Sequence, residues 1–159
     1  MGTLLINLCM LKAGDDFPSF SLPDQDENTV SNVSLAGNPY VIYFYPKDDT
    51  AGCTMEACEF TDNLTNFGNI KVLGVSPDSA KQHTKFILKY NLGVTLLADE
   101  EKELIQACGL WIEKSMYGRK YMGVDRTTFL VGADGKIIKI WEKVKPAGHA
   151  VEVLKAAKS

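Results

Sequence analysis

The sequence predicts an α/β fold, with a central mixed β-sheet flanked by helices and an extra N-terminal β-hairpin. Three observations carry this expectation. Two continuous runs, "YVIYFY" (Tyr40–Tyr45) and "KVLGVS" (Lys71–Ser76), are rich in β-branched and aromatic residues, the composition of strands buried on both faces. Between them, Ala57, Phe60, Leu64 and Phe67 recur at spacings of three and four, which is one apolar helix face. Strand, helix and strand in that order predict a parallel βαβ unit. Near the C-terminus, "TTFLVGADGKIIKIWEKV" reads as two strands around an Asp-Gly turn.

The remaining elements follow in order. Residues 17–35, with their Pro and Asn-rich turns, predict a small hairpin at the sheet edge. "PDSAKQHTKFILKYN" (Pro77–Asn91) opens with capping residues and continues as a helix. "VTLLAD" is a short strand, and "EEKELIQACG" a short helix closed by Gly109. Trp111, Met116 and Tyr117 fall in the following segment, where core packing is the expected role for each. "AGHAVEVLKAAKS" ends the chain as an amphipathic helix. A βαβ half followed by a β-hairpin and a helix is the order of a thioredoxin-like fold.

With 159 residues, 45% hydrophobic and 23% charged, residues 10–159 suit one globular domain with a full core. Net charge is −3, and acids and bases are interspersed, which predicts no nucleic-acid surface and no polybasic membrane patch. No apolar run approaches the roughly 20 residues of a membrane helix. "MGTLLINLC" lacks a basic start and a small-residue cleavage site, and Ile6 breaks the myristoylation pattern. Residues 1–9 are read as an extension, an upstream start or an expression remnant, outside the fold. A cytoplasmic location is the expectation, and Cys9, Cys53, Cys58 and Cys108 are not expected to form a disulfide framework.

"PKDDTAGCTMEAC" (Pro46–Cys58) sets two cysteines five residues apart where a strand gives way to a helix. A zinc site wants four ligands, usually entering as close pairs. Here no second pair exists, and His83 and His149 lie far along the chain. No metal is expected. Packing as a small hydrophobe is open for Cys58 and is the expected role of Cys108. Cys53 fits packing poorly, because it follows a Gly-containing junction at the end of a buried strand. There, unpaired N–H groups and the helix dipole stabilise an anion. Lowering a thiol pKa from about 8.5 to about 6 raises the thiolate at pH 7 from roughly 3% to roughly 90%, for about 3.4 kcal/mol. A helix end alone supplies less, so a cation should help. Arg126, at the start of a later strand, is the candidate. The alternative for Arg126 is a surface pair with Asp125. Asp48 and Asp49 would oppose a thiolate if they pointed inward, so they are expected to face solvent or cap the turn.

At this point the chain resembles the peroxiredoxins, specifically the bacterioferritin comigratory protein (PrxQ) group. Pro46, Thr50 and Cys53 match P-x-x-x-T-x-x-C, and "FYPKDDTAGCT" is similar to the group's usual "FYPKDxTPGCT". The resemblance continues through "VLGVSPD", "LLADE", "WIEKSMYGRKYMGVDRTTFLV" and "DGKI", over nearly all of residues 11–157. Ala51 departs from it by replacing the usual Pro, which leaves the turn looser.

The resemblance implies a thiol-dependent peroxidase that reduces hydrogen peroxide and organic hydroperoxides. Cys53 would be the nucleophile that becomes sulfenic acid, and Thr50 would hydrogen-bond thiolate and peroxide. Arg126 would hold the thiolate ionised and Pro46 would wall the pocket. No cofactor, whether metal, haem or flavin, is implied. The reductant would be thioredoxin or a glutaredoxin-type dithiol, and the chain a monomer, with a dimer as the alternative. Cys58 stands where this group often has a resolving cysteine. In an unbroken helix, residues five apart have Cα atoms about 8.7 Å apart and about 140° around the axis. That is beyond disulfide reach. A Cys53–Cys58 disulfide therefore requires the first turns to unwind. A one-cysteine peroxidase, a dithiol–disulfide exchanger and a non-catalytic chaperone remain as rival readings.

Overall fold

The computed structural model describes residues 11–159. The expectations for residues 1–9 and Cys9 lie outside them. The chain opens with β1 (Ser21–Pro23) and β2 (Thr29–Ser31), paired antiparallel as the expected hairpin, and α1 (Asn32–Leu35), which starts on a Ser31–Ser34 capping box. Then come β3 (Tyr40–Phe44), α2 (Ala51–Phe67) and β4 (Lys71–Ser76), the expected parallel unit.

Ser79 caps α3 (Ala80–Tyr90) by accepting from the Gln82 N–H, and Asn91 ends it in a left-handed conformation. β5 (Thr95–Ala98) and α4 (Glu103–Ala107) follow. β6 (Trp111–Met116) and β7 (Arg119–Val124) pair as a second hairpin, outside the main sheet. β8 (Thr127–Val131), β9 (Ile137–Trp141) and α5 (His149–Lys158) complete the fold.

The main sheet runs β5-β4-β3-β8-β9. β3, β4 and β5 are parallel, and β8 and β9 are antiparallel to their neighbours. The sheet is thus mixed, as expected, and β3 lies at its centre. Alternation along β3 divides the core in two. Ile42 and Phe44 face a cluster with Phe17, Leu104, Ile105 and Cys108. Val41, Tyr43 and Tyr45 face the other, with Cys53, Ala57, Phe60, Phe86 and Val153. Cys53 and Cys108 therefore sit on opposite faces of the sheet.

Phe60 fixes α2 on its strand by stacking on Tyr43 with ring centroids 4.7 Å apart. Such a fully buried ring contributes about 2–3 kcal/mol, and truncating one to Ala costs about 3–5 kcal/mol. Tyr43 fits because Gly74 lies beside it. A Cβ at that position would come within 2.8 Å of Tyr43 Cζ and of Leu96 Cδ2.

Residues 111–124 correct an expectation. Met116 and Tyr117 do not pack in the core but stand 56% and 98% exposed. They flank the tip of the β6–β7 hairpin, where Tyr117 and Gly118 both have positive φ, 51° and 78°. That is the two-residue turn whose twist matches a hairpin. Trp111 is half-buried at its base.

Candidate active site

The site is assembled at the start of α2, three elements meeting at one thiol. β3 leads through Tyr45 and Pro46 into the loop 46–50, and Thr50 is the N-cap residue of α2. The Thr50 hydroxyl does not close the cap. Its Oγ1 donates to the Lys47 carbonyl at 3.0 Å, and no side chain caps the helix. The positive field of the first-turn N–H groups is thus left for an anion. Cys53 lies in that first turn, 1% exposed.

Arg126 is the residue just before β8, the strand that pairs with β3. Its Nη2 donates to Cys53 Sγ at 3.3 Å, and its Nη1 donates to Glu56 Oε1 at 2.7 Å. The alternative pairing with Asp125 is not formed, since Asp125 is met by Lys143 at 3.8 Å. The close approach depends on Gly52. A Cβ there would sit 3.3 Å from Arg126 Nη2 and 3.4 Å from Pro146 Cγ.

Glu56 was not anticipated. It is 1% exposed, one helical turn from Cys53, and its Oε2 has no hydrogen-bond partner among the described residues. Burial pushes its carboxyl up to about 7, against the opposing pull of Arg126. The available signal was spacing, since i and i+3 share a helix face. A charged residue three after a nucleophile, on the buried side, needs a partner.

Asp48 corrects another expectation. Rather than facing solvent, it is 7% exposed. Tyr45 Oη donates to its Oδ1 at 2.5 Å, and His83 Nδ1 meets its Oδ2 at 2.6 Å. His83 on α3 is itself buried and its Nε2 donates to the Leu97 carbonyl at 3.0 Å. A buried carboxylate is tolerated when it is paired in this way. The Asp48 N–H donates to Asp78 Oδ2, which also accepts from Ser76 Oγ. Asp48, Asp78 and His83 gather ligand atoms within 4.8 Å, but these contacts turn most of them toward one another. Asp49 faces outward as expected and binds Lys89 Nζ and Tyr90 Oη at 2.8 and 2.6 Å. Two successive carboxylates thus clamp the loop that precedes Cys53 to α3.

Cys58 is half-buried on the same unbroken helix, two turns into it. Burial, then the charge of Asp62, raises its thiol pKa. Cys108, at the C-cap of α4, is buried 4% exposed, and burial pushes its thiol far above the ordinary range. Cys53, Cys58 and Cys108 are all free thiols. Pro46 is half-buried at the start of the loop. Of the residues singled out in the sequence, Cys53 and Arg126 are in contact, Pro46 and Thr50 lie in the segment that leads into α2, and Cys58 stays apart.

Known proteins resemble this chain over most of its length. Residues 13–140 match the AhpC/TSA family. The peroxiredoxin Bcp of Bacillus subtilis is 41% identical over 150 residues, 93% of this chain and 96% of its own. That of Escherichia coli K12 is 42% identical over 146 residues, 91% and 94% of the two chains. Among solved structures, the bacterioferritin comigratory protein of Xanthomonas campestris, studied for alkyl peroxide reduction, superposes with a TM-score of 0.84. It is 38% identical and covers 94% of this chain and 97% of its own. Matched over more than nine-tenths of its length, the chain belongs to the AhpC/TSA family and, within it, to the thiol-dependent peroxidases of the Bcp/PrxQ group of peroxiredoxins.

Proposed function

We propose that Cys53 is the peroxidatic nucleophile. Its thiolate attacks one peroxide oxygen, the O–O bond breaks, and the sulfur becomes a sulfenic acid as two electrons pass to the departing oxygen. The observation that carries this reading is the Arg126 Nη2–Cys53 Sγ hydrogen bond of 3.3 Å in the first turn of α2. Arg126 lowers the energy of the thiolate and of negative charge on the leaving oxygen. The Thr50 hydroxyl, donating to Lys47 O, keeps lone pairs with which to accept the peroxide's hydrogen. Pro46 walls the approach. Substrates are hydrogen peroxide and organic hydroperoxides, in keeping with the alkyl peroxides reduced by the Xanthomonas relative.

Cys58 then resolves the sulfenic acid as an intramolecular disulfide, which thioredoxin or a glutaredoxin-type dithiol reduces. Pairing requires the start of α2 to unwind, which also frees Cys58 from the burial that raises its pKa. The intact helix in the reduced chain favours one alternative, a one-cysteine peroxidase with Cys58 silent. A reducing, cytoplasmic setting suits these free thiols, and a monomer carries every residue named.

A thioredoxin-coupled peroxidase assay of wild type, Cys53→Ser and Cys58→Ser, with intact-mass analysis after one equivalent of peroxide, tests the scheme. Wild type should turn over and lose two hydrogens in a Cys53–Cys58 linkage. Cys53→Ser should be inactive. Cys58→Ser should consume one equivalent and stop. Turnover by Cys53→Ser overturns the assignment of the nucleophile. Accumulation of sulfinic acid in wild type, unchanged by Cys58→Ser, overturns resolution.

A further inference from the structure

One cation at this site serves two acids. Arg126 lies at hydrogen-bond distance from both Cys53 Sγ and Glu56 Oε1, and both acidic groups are 1% exposed. Around Glu56, the other facing groups are Glu59 on α2, which adds negative charge, and the uncharged Tyr43 hydroxyl on β3. Lys114 of β6 also interacts electrostatically with Cys53 and Arg126. A thiolate and a carboxylate against one guanidinium leave a net buried negative charge. Like charges sharing a site force one of the pair to hold a proton. Glu56 Oε2, buried without a partner, is the place for it.

Resting on the reading of Cys53 as the peroxidatic thiolate, we propose that Glu56 stores the proton that peroxide reduction consumes, neutral while Cys53 is a thiolate and ionised once Cys53 is a sulfenic acid. The step balances as Cys53–S⁻ plus ROOH plus Glu56–COOH giving Cys53–SOH, ROH and Glu56–COO⁻. The S–O bond forms and the O–O bond breaks. Sulfur is oxidised by two electrons, and the proton lost by Glu56 balances the one gained by the departing oxygen. Glu56 does not touch the substrate and acts through Arg126. When sulfur loses its charge, the guanidinium is left to the carboxylate alone. Burial already holds Glu56 at about 7. A thiolate beyond Arg126 favours the protonated carboxyl, and neutralising that thiolate favours the carboxylate. The exchange therefore operates near neutral pH.

Single-turnover reaction with one equivalent of peroxide, in weak buffer with an indicator dye at about pH 7.5, reads the proton directly. Cys58→Ser serves as background so that the reaction stops at the sulfenic acid, quantified in parallel with a dimedone-type trap. With Glu56 present, uptake from the medium should be roughly half a proton or less per sulfenic acid, and with Glu56→Gln close to one. Equal uptake of one proton in both proteins overturns the proposal while leaving the peroxidase reading intact. Failure to form any sulfenic acid overturns both. A second readout needs no change at Glu56. The infrared difference spectrum of the Cys58→Ser protein on peroxide addition should lose a protonated-carboxyl stretch, and Cys53→Ser should not. Persistence of that band overturns the proposal.

Discussion

Cys53 and Cys108 are almost equally hidden, at 1% and 4% exposure, and each lies at the end of a helix packed on the same sheet. Cys53 occupies the first turn of a 17-residue helix, under a guanidinium. Cys108 occupies the C-cap of a five-residue helix, amid Leu104, Ile105, Leu110 and Phe129. Around Cys108, burial and then the nearby Asp99 both disfavour a thiolate, and the thiol is pushed far up. The helix dipole points its negative pole toward Cys108 and its positive pole toward Cys53. Burial is common to both. On the proposed reading, what separates the nucleophile from a packing residue is the sign of the field at the sulfur.

The sharpest way to break this contrast is to remove the cation. Arg126→Met alone would strand Glu56 as an unpaired buried acid, so the change is best made together with Glu56→Gln. Peroxide consumption should fall by about 10²–10³-fold, the scale of losing one preorganised donor to developing charge. Alkylation of Cys53 by iodoacetamide at neutral pH should slow as well, toward the rate of Cys108. Undiminished alkylation in the double variant would show that the helix terminus alone suffices.

A loss of activity in acid has to be separated from a loss of fold, and His149 is where the fold is acid-sensitive. The ring lies edge-on to Phe60 and Trp141, and its Nε2 meets Thr128 Oγ1 at 2.8 Å. Burial lowers its pKa from 6.5 to about 4. Below pH 6.5 the unfolded chain takes up a proton that the folded chain refuses. Stability is therefore full above about 6.5, falls as pH drops toward 4, and levels off below. The whole effect is about 3 kcal/mol. Urea unfolding between pH 7 and 4 should show this slope, and His149→Gln should flatten it. Since α5 packs on α2, with the Gly148 N–H donating to Glu59 Oε1 at 2.9 Å, acid loosening reaches Cys53 through the fold.

The contrast also explains what the sequence could reveal. Cys53 and Arg126 were legible because an isolated charge at a strand start and a cysteine at a helix start are each out of place in a core pattern. Glu56 was hidden because a Glu in a helix ordinarily faces water, and only the arrival of Arg126 from 70 residues away buries it. Asp48 was misplaced for the same reason, its partner His83 standing on another helix. The main sheet could be read from its apolar runs. The β6–β7 hairpin could not, because it covers no second face and its strands lack alternation. Its Tyr117-Gly118 turn also puts an aromatic where Asn is usual.

Cys108→Ala tests the packing side. With the thiol neutral and remote from the site across the sheet, peroxidase activity should not change, while unfolding free energy should fall by about 1 kcal/mol for the small cavity left. In native wild type, Cys108 should resist alkylation until urea opens the core. A measurable drop in peroxide consumption by Cys108→Ala would mean that the two faces communicate.

The smallest expected effect concerns how readily the Cys53 end of the helix lets go. Ala51 is the first helical residue of α2, a position where Pro is favoured because its N–H has no helical partner and its φ is already helical. Ala51→Pro should therefore raise stability by about 0.4–1 kcal/mol, mainly by restricting the unfolded chain. The same restriction acts on the unwound helix start that Cys53 and Cys58 need in order to meet. Stopped-flow measurement after one equivalent of peroxide should then show sulfenic acid forming at the wild-type rate. Disulfide should appear up to about fivefold more slowly, since 1 kcal/mol on the opening step is that factor. Slowing of both steps would place Ala51 in the nucleophile's own geometry, and slowing of neither would mean that opening begins beyond the first turn. In the proposed scheme, the helix mouth that activates Cys53 is also the part of the helix that must come apart for Cys58 to reach it. Alanine at position 51 favours the second requirement over the first.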